Sequence, residues 1–143
     1  MIQLTLFIGQ SDPIYNPSYA YSRRYQLLEE IKQSDIPVDM LITGRKFTYS
    51  QYLTKLASYK FILNPLGTGD FINLRFYESL KLGCIPVQQI TDEMYPHYSH
   101  NELAGCCTFK SVDDIRDAIS TEVNKVRDFY IEDYFEEINL KHI

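Results

Sequence analysis

At 143 residues, 45% hydrophobic and 23% charged, the chain has the size and usage of one globular domain with a real core, with no bias toward disorder or a fibre. Its net charge of −5 excludes a generally basic nucleic-acid binder, although a local basic site stays open. No apolar run approaches the roughly 20 residues that span a bilayer. The opening "MIQLTLFIGQ" lacks the basic region and small-residue cleavage site of a signal peptide. Cys84, Cys106 and Cys107 form no C-x-x-C and make a poor disulfide framework, so reduced thiols in a cytoplasmic compartment are expected.

In chain order, Gln3 to Gly9 reads as a strand and Gln10 to Ser18 as a Pro- and Asn-containing loop. Tyr21 to Ile31 has helical period, with Tyr21, Tyr25, Leu28 and Ile31 on one face. Val38 to Thr43 is a second strand, ended by Gly44. Tyr49 to Ser58 predicts a helix with Ser50 as N-cap and Tyr49, Leu53 and Leu56 facing inward. Lys60 to Asn64 is a short apolar strand. Asn73 then caps a helix running to about Leu82, with Phe76 and Leu80 packed and Gly83 as its stop.

Cys84 to Ile90 follows as a short buried strand, in which Pro86 predicts an edge or a break in pairing. Thr91 to Gly105 reads as loop with one helical turn, and Cys106 to Phe109 as a last short strand. From Val112 the apolar positions Ile115, Ile119, Val123, Val126, Tyr130, Tyr134 and Ile138 step by three and four, which predicts one long helix or two consecutive ones. Alternating strands and helices with short connections and right-handed crossovers predict an α/β fold. It is a single Rossmann-like doubly wound parallel sheet with helices on both faces, spanning 1–143 and ending in a long C-terminal helix. No repeat, low-complexity tract or linker divides it.

In open α/β sheets, ligands bind outside the carboxyl ends of the strands, which directs attention to the loops that follow them. The richest is Pro65 to Asn73. Gly67 and Gly69 let a ligand approach the main chain, and the helix that follows offers free N–H groups and a positive dipole end to an anion. "GTGDFI" is neither a dinucleotide fingerprint, since Ile72 replaces the third glycine, nor a P-loop, since no Gly-Lys-Ser/Thr follows. Arg75 and Glu78 lie three apart and share a helix face. Arg75 could fork onto a diphosphate, and Glu78 could accept from two vicinal hydroxyls such as those of a ribose. The plain alternative is a surface salt bridge.

Arg23 and Arg24, at the start of the first helix, oppose its dipole and would be matched by an anion, or are solvated surface arginines. Arg45 and Lys46 follow the second strand, where a base or ribose would sit, or form a basic turn. Tyr15, Tyr19 and Tyr21 either stack on a ligand or pack their loop onto the core. His97 and His100 are spaced like metal ligands, but nothing completes a site. The acidic run in "YIEDYFEE" reads as a solvated helix face. No Ser/His/Asp or Cys/His arrangement for nucleophilic catalysis is identifiable.

The segment "YKFILNPLGTGDFINLRFYESLKLGCIPVQQ" resembles the nucleotide-sugar-binding half of a GT-B glycosyltransferase, most closely the exostosin-type family. That family's pattern runs S/Y-K-F, a strand, P-x-G-x-G, then R-x-x-E-A/S-L-x-x-G-C-I/V-P-V. Lys60-Phe61, Pro65, Gly67, Gly69, Arg75, Glu78, Ser79-Leu80 and Gly83-Cys84-Ile85-Pro86-Val87 fit it. A weaker likeness is to the GT-B fucosyltransferases, through Val38-Asp39 and Tyr59-Lys60-Phe61. The resemblance implies that Glu78 takes the ribose and Arg75 the diphosphate. The amides of Gly67, Thr68 and Gly69 would assist, with Arg23, Arg24 and Arg45 as further donor-binding residues. The chain departs from the pattern at Leu66, where the family usually has Arg.

The implied chemistry is transfer of a sugar from a nucleoside-diphosphate sugar, UDP or GDP, to the hydroxyl of a glycan or other acceptor. No cofactor is expected beyond this donor, and the absence of any Asp-x-Asp argues against a metal-dependent GT-A enzyme. The leaving diphosphate would be stabilised electrostatically. A GT-B enzyme needs two facing domains, so the general base and the acceptor site are expected on a partner chain or a missing domain. A second reading is a non-catalytic Rossmann-like binding module derived from such an enzyme. A third, thinner one is a flavodoxin- or receiver-like signalling domain, which would want acidic residues at its first strand, where Asp12 alone is available.

Overall fold

The computed structural model describes residues 2–9, 19–42, 47–66, 72–97 and 106–123. In chain order these form β1 (Ile2–Gly9), α1 (Tyr19–Gln33), β2 (Val38–Ile42), α2 (Tyr49–Ala57), β3 (Tyr59–Asn64), α3 (Leu74–Lys81), β4 (Ile85–Gln89), a 3₁₀ helix (Asp92–His97), β5 (Cys107–Phe109) and α4 (Val112–Val123). The five strands make one all-parallel sheet in the order β2-β1-β3-β4-β5, a Rossmann-like doubly wound α/β arrangement.

Strands covered on both faces are buried along nearly their whole length, and β3 and β4 are, with apolar runs Phe61 to Leu63 and Ile85 to Val87 within them. On one face Phe7, Phe61, Leu63, Ile85 and Val87 pack against Leu27, Leu28 and Ile31 of α1 and Ile115 of α4. On the other, Leu6, Ile8 and Ile62 lie under Leu56 of α2, while Phe76 and Leu80 of α3 close over Leu66, Ile90 and Met94. The chain leaves β1 toward β2 and then reverses across β1 to β3, β4 and β5. The switch point is therefore the crevice between the carboxyl ends of β1 and β3.

Several local expectations are corrected. In α1 the packed stripe is Leu27, Leu28 and Ile31, and Tyr25 is 41% exposed. In α2 the N-cap is Thr48 rather than Ser50: its side chain accepts from the Gln51 amide, and the Gln51 side chain accepts from the Thr48 amide in return. Tyr49 is 62% exposed and lies outside the core. Asn73 holds the N-cap position of α3 but makes no side-chain cap bond. β4 is an interior strand, yet its pairing with β5 begins at Val87, one residue beyond Pro86, so the proline has only β3 beside it. The 3₁₀ helix is the turn expected after Thr91. Val126, Tyr130, Tyr134 and Ile138 lie outside the described residues, as does the "YIEDYFEE" run.

The "GC" that ends the family-like segment has a plain physical basis. α3 stops in a Schellman turn: the Gly83 amide donates to Leu80 at 3.0 Å and the Cys84 amide to Ser79 at 2.9 Å. Gly83 takes φ +80°, a left-handed conformation with no penalty for glycine. Cys84 then enters the core, its thiol donating to the Leu56 carbonyl at 3.3 Å. Burial pushes that thiol up to about 11, so it is a packing residue and a poor nucleophile.

Candidate functional site

α3 follows β3, and its first turn brings Arg75 back over the sheet's carboxyl edge. The guanidinium crosses the switch-point crevice and lies over the Phe7 ring, 5.2 Å from its centroid. It rests against Gly9, the last residue of β1, in the space a Cβ there would occupy. A residue larger than glycine at the end of β1 would collide with it.

Beneath Arg75 is a chain of buried amides. Arg75 Nη1 donates to Asn64 Oδ1 at 3.1 Å. The Asn64 Nδ2 donates to Oε1 of Gln88, its register partner on β4, and Gln88 Nε2 donates to the Gln89 carbonyl at 2.8 Å. Asn64 and Gln88 are fully buried, and buried amides survive only when their hydrogen bonds are met. The Arg75 bond fixes which side of the Asn64 amide is the oxygen, and Gln88 holds the other side. The Gln89 side chain in turn accepts from the Leu66 amide at 2.9 Å, anchoring the start of the Pro65–Asn73 loop.

One helical turn below Arg75, Glu78 faces α2. Tyr49 donates to its Oε2 at 2.6 Å and Tyr52 to its Oε1 at 3.0 Å. The two tyrosines sit three apart on α2, with ring centroids 6.1 Å apart. The Tyr49 hydroxyl is pushed above its ordinary value by its bond to Glu78. Tyr52 is pushed up chiefly by burial, while the Arg75 charge beside it pulls the other way. Arg75, Tyr52 and Glu78 therefore form one electrostatic unit: a cation, a hydroxyl and a carboxylate around the mouth of the crevice.

Of the residues singled out from sequence, Arg75 and Glu78 come together on one face of α3, at the carboxyl edge. Gly67, Thr68, Gly69, Arg45, Lys46, Tyr15 and His100 lie outside the described residues. Arg23 and Arg24 are the fifth and sixth residues of α1 and so stand beyond its opening turn, where the dipole has largely faded. Arg24 is 6% exposed and Arg23 half-buried, so neither is a freely solvated surface arginine. Among the described residues, His, Cys, Asp and Glu nowhere gather in threes as metal ligands.

Leu66, where the exostosin-type pattern has arginine, is fully buried against Ile72, Phe76 and Leu80. Sequence reasoning passed over Gly9, Asn64, Gln88 and Tyr52. The signal for the tyrosine was present, since Tyr49 and Tyr52 share a helix face; the amide pair has no one-dimensional signature. At the edge where a receiver-like domain would collect carboxylates, the described residues supply Gly9, Asn64, Gln88 and Arg75.

Among the described helices none is long and apolar enough to cross a membrane. The chain matches no protein-family model and no curated protein sequence.

Proposed function

We propose that this chain is the nucleotide-sugar-binding domain of a glycosyltransferase, taking a nucleoside-diphosphate sugar at the crevice between β1 and β3. The observation that carries the reading is the placement of Arg75 across that crevice, with Glu78 one turn deeper on the same helix. A guanidinium suits a diphosphate because its planar fork matches two phosphate oxygens. A carboxylate one turn away suits a ribose because it accepts from two neighbouring hydroxyls. The N-terminal end of α3, whose N-cap residue Asn73 makes no side-chain cap bond, adds the positive end of a helix dipole on the phosphate side.

In this reading, Arg75 and the N-terminal end of α3 neutralise charge that accumulates on the diphosphate as the sugar departs, which is electrostatic stabilisation of the leaving group. The group that deprotonates the acceptor hydroxyl belongs to a partner domain. Titration calorimetry of the full chain with UDP, GDP and their sugars tests the assignment. Binding at millimolar concentration or tighter, weakened in Arg75→Ala and Glu78→Ala, is expected. Absence of binding, or variants that bind like the parent, would overturn it.

The second reading, a non-catalytic binding module with the same site, is favoured by one observation. Leu66 is turned into the core, so the phosphate contact that the resembled family usually draws from that position is missing. Sugar turnover measured with and without a second α/β domain from a neighbouring reading frame separates the two.

A further inference from the structure

Glu78 holds two O–H donors on the two oxygens of one carboxylate. This is the arrangement a vicinal diol presents, and here both donors come from the protein itself. The two tyrosines differ in how firmly they are held. Tyr52 is half-buried, packs beside the cluster of Leu6, Ile8 and Leu56, and lies within the field of Arg75. Tyr49 is the first residue of α2, 62% exposed, and its ring can swing into solvent at little packing cost.

We infer that Tyr52 is a positioning residue that sets Glu78 relative to Arg75, whereas Tyr49 is an internal stand-in for a ligand hydroxyl, displaced when a diol binds. The inference rests on the proposed nucleotide site and names the feature of the ligand that Glu78 reads. Each carboxylate oxygen has two lone-pair sites, so Oε1 keeps its bond to Tyr52 and still accepts from the ligand. On Oε2 the exposed Tyr49 stands on the solvent side from which the second hydroxyl arrives, so that hydroxyl takes the place of Tyr49. The incoming diol must break the Tyr49–Glu78 bond, so that bond lowers the ligand's apparent affinity by its own net worth. At an exposed site this is a factor of about three to ten.

The two hydroxyls therefore act in opposite directions. In Tyr49→Phe only water must leave Oε2, and affinity for a ribonucleotide rises. In Tyr52→Phe the carboxylate loses its anchor, and affinity falls along with the preference for a diol.

The test is calorimetric titration of the full chain, parent and variants, with UDP or GDP, whichever binds tighter, and with its 2′,3′-dideoxy analogue. Tyr49→Phe is expected to bind the ribonucleotide about threefold to tenfold more tightly and the dideoxy analogue no differently. Tyr52→Phe is expected to lower ribonucleotide affinity and to shrink the ratio between the two ligands. The inference is overturned if Tyr49→Phe weakens ribonucleotide binding, or strengthens both ligands equally. If Glu78→Gln weakens binding while both tyrosine variants behave alike, the inference falls and the nucleotide site stands. If the parent chain binds neither nucleotide, both fall together. Tyr49 is exposed and its replacement conservative, so the decisive variant keeps the fold even if Tyr52→Phe does not.

Discussion

The Arg75 guanidinium and Gly9 share one small volume at the carboxyl end of β1: the arginine lies where any side chain at position 9 would have to go. The glycine is therefore tied to the arginine, 66 residues later in the chain, and not to a turn conformation. Its φ is not in the left-handed region, which among the described residues only Gly83 occupies.

This coupling makes Gly9→Ala informative. The added methyl meets the far end of a long, adaptable side chain and the edge of the Phe7 ring, so the sheet can absorb it. The expected outcome is a small change in melting temperature together with a loss of affinity for the proposed nucleotide ligand of about tenfold, as Arg75 is pushed from the crevice. Calorimetry and thermal melting on the same sample check both halves. A large loss of stability with unchanged affinity would contradict the placement of Arg75.

Asn64→Leu attacks the same arginine from below. It removes the acceptor of the Arg75 bond and takes the donor away from the fully buried Gln88 Oε1. Leaving such groups unpaired is expected to destabilise the chain by about 2–3 kcal/mol, with nucleotide affinity falling as well. Chemical denaturation gives the first quantity. Asn64→Asp keeps the acceptor for Arg75, and is expected to recover more of the affinity than of the stability.

The sheet was largely legible because buried parallel strands announce themselves. "KFILN" and "CIPVQQI" each hold an unbroken apolar run, Phe61 to Leu63 and Cys84 to Val87, and Gly83 marks the stop of α3 through a backbone conformation that other residues pay for. The pair Arg75 and Glu78 was legible because three-residue spacing on a helix fixes a shared face. Tyr49 was misread because periodicity counts tyrosine as apolar, while its hydroxyl is drawn outward to a carboxylate 29 positions away. Gly9, Asn64 and Gln88 were not legible, since their roles depend on which strands lie side by side and on a side chain that crosses the sheet edge. Neither condition is written in local spacing.

Alkaline pH should reveal a further tyrosine–carboxylate contact. Tyr59 donates to Asp39 Oδ2 at 2.6 Å, and this bond, with burial, raises the Tyr59 hydroxyl to about 12. An unfolded tyrosine titrates near 10. The native state thus holds a proton that the unfolded state has already lost between those values. Where the native state binds more protons, stability falls as pH rises. The contribution is fully present below pH 10 and is lost between about 10 and 12. In Tyr59→Phe the slope of stability against pH should flatten in that window, with Tyr49 and Tyr52, also raised, supplying what remains. Denaturant unfolding at closely spaced pH values measures the slope, and an unchanged slope would show that the Tyr59–Asp39 bond does not persist in solution.

Gly83→Ala probes the Schellman turn that ends α3. An added Cβ would meet nothing within 4 Å, so steric crowding from neighbours is not at issue. The penalty comes entirely from holding a non-glycine residue at φ +80°, about 1–2 kcal/mol. Gly83→Asn, which tolerates the left-handed region better, is expected to lose about half as much. The turn sits at the opposite end of α3 from Arg75, so nucleotide affinity should stay close to that of the parent in both variants. Denaturant melts paired with calorimetry distinguish this from a change at the site: the order glycine, asparagine, alanine should appear in stability and be absent from binding.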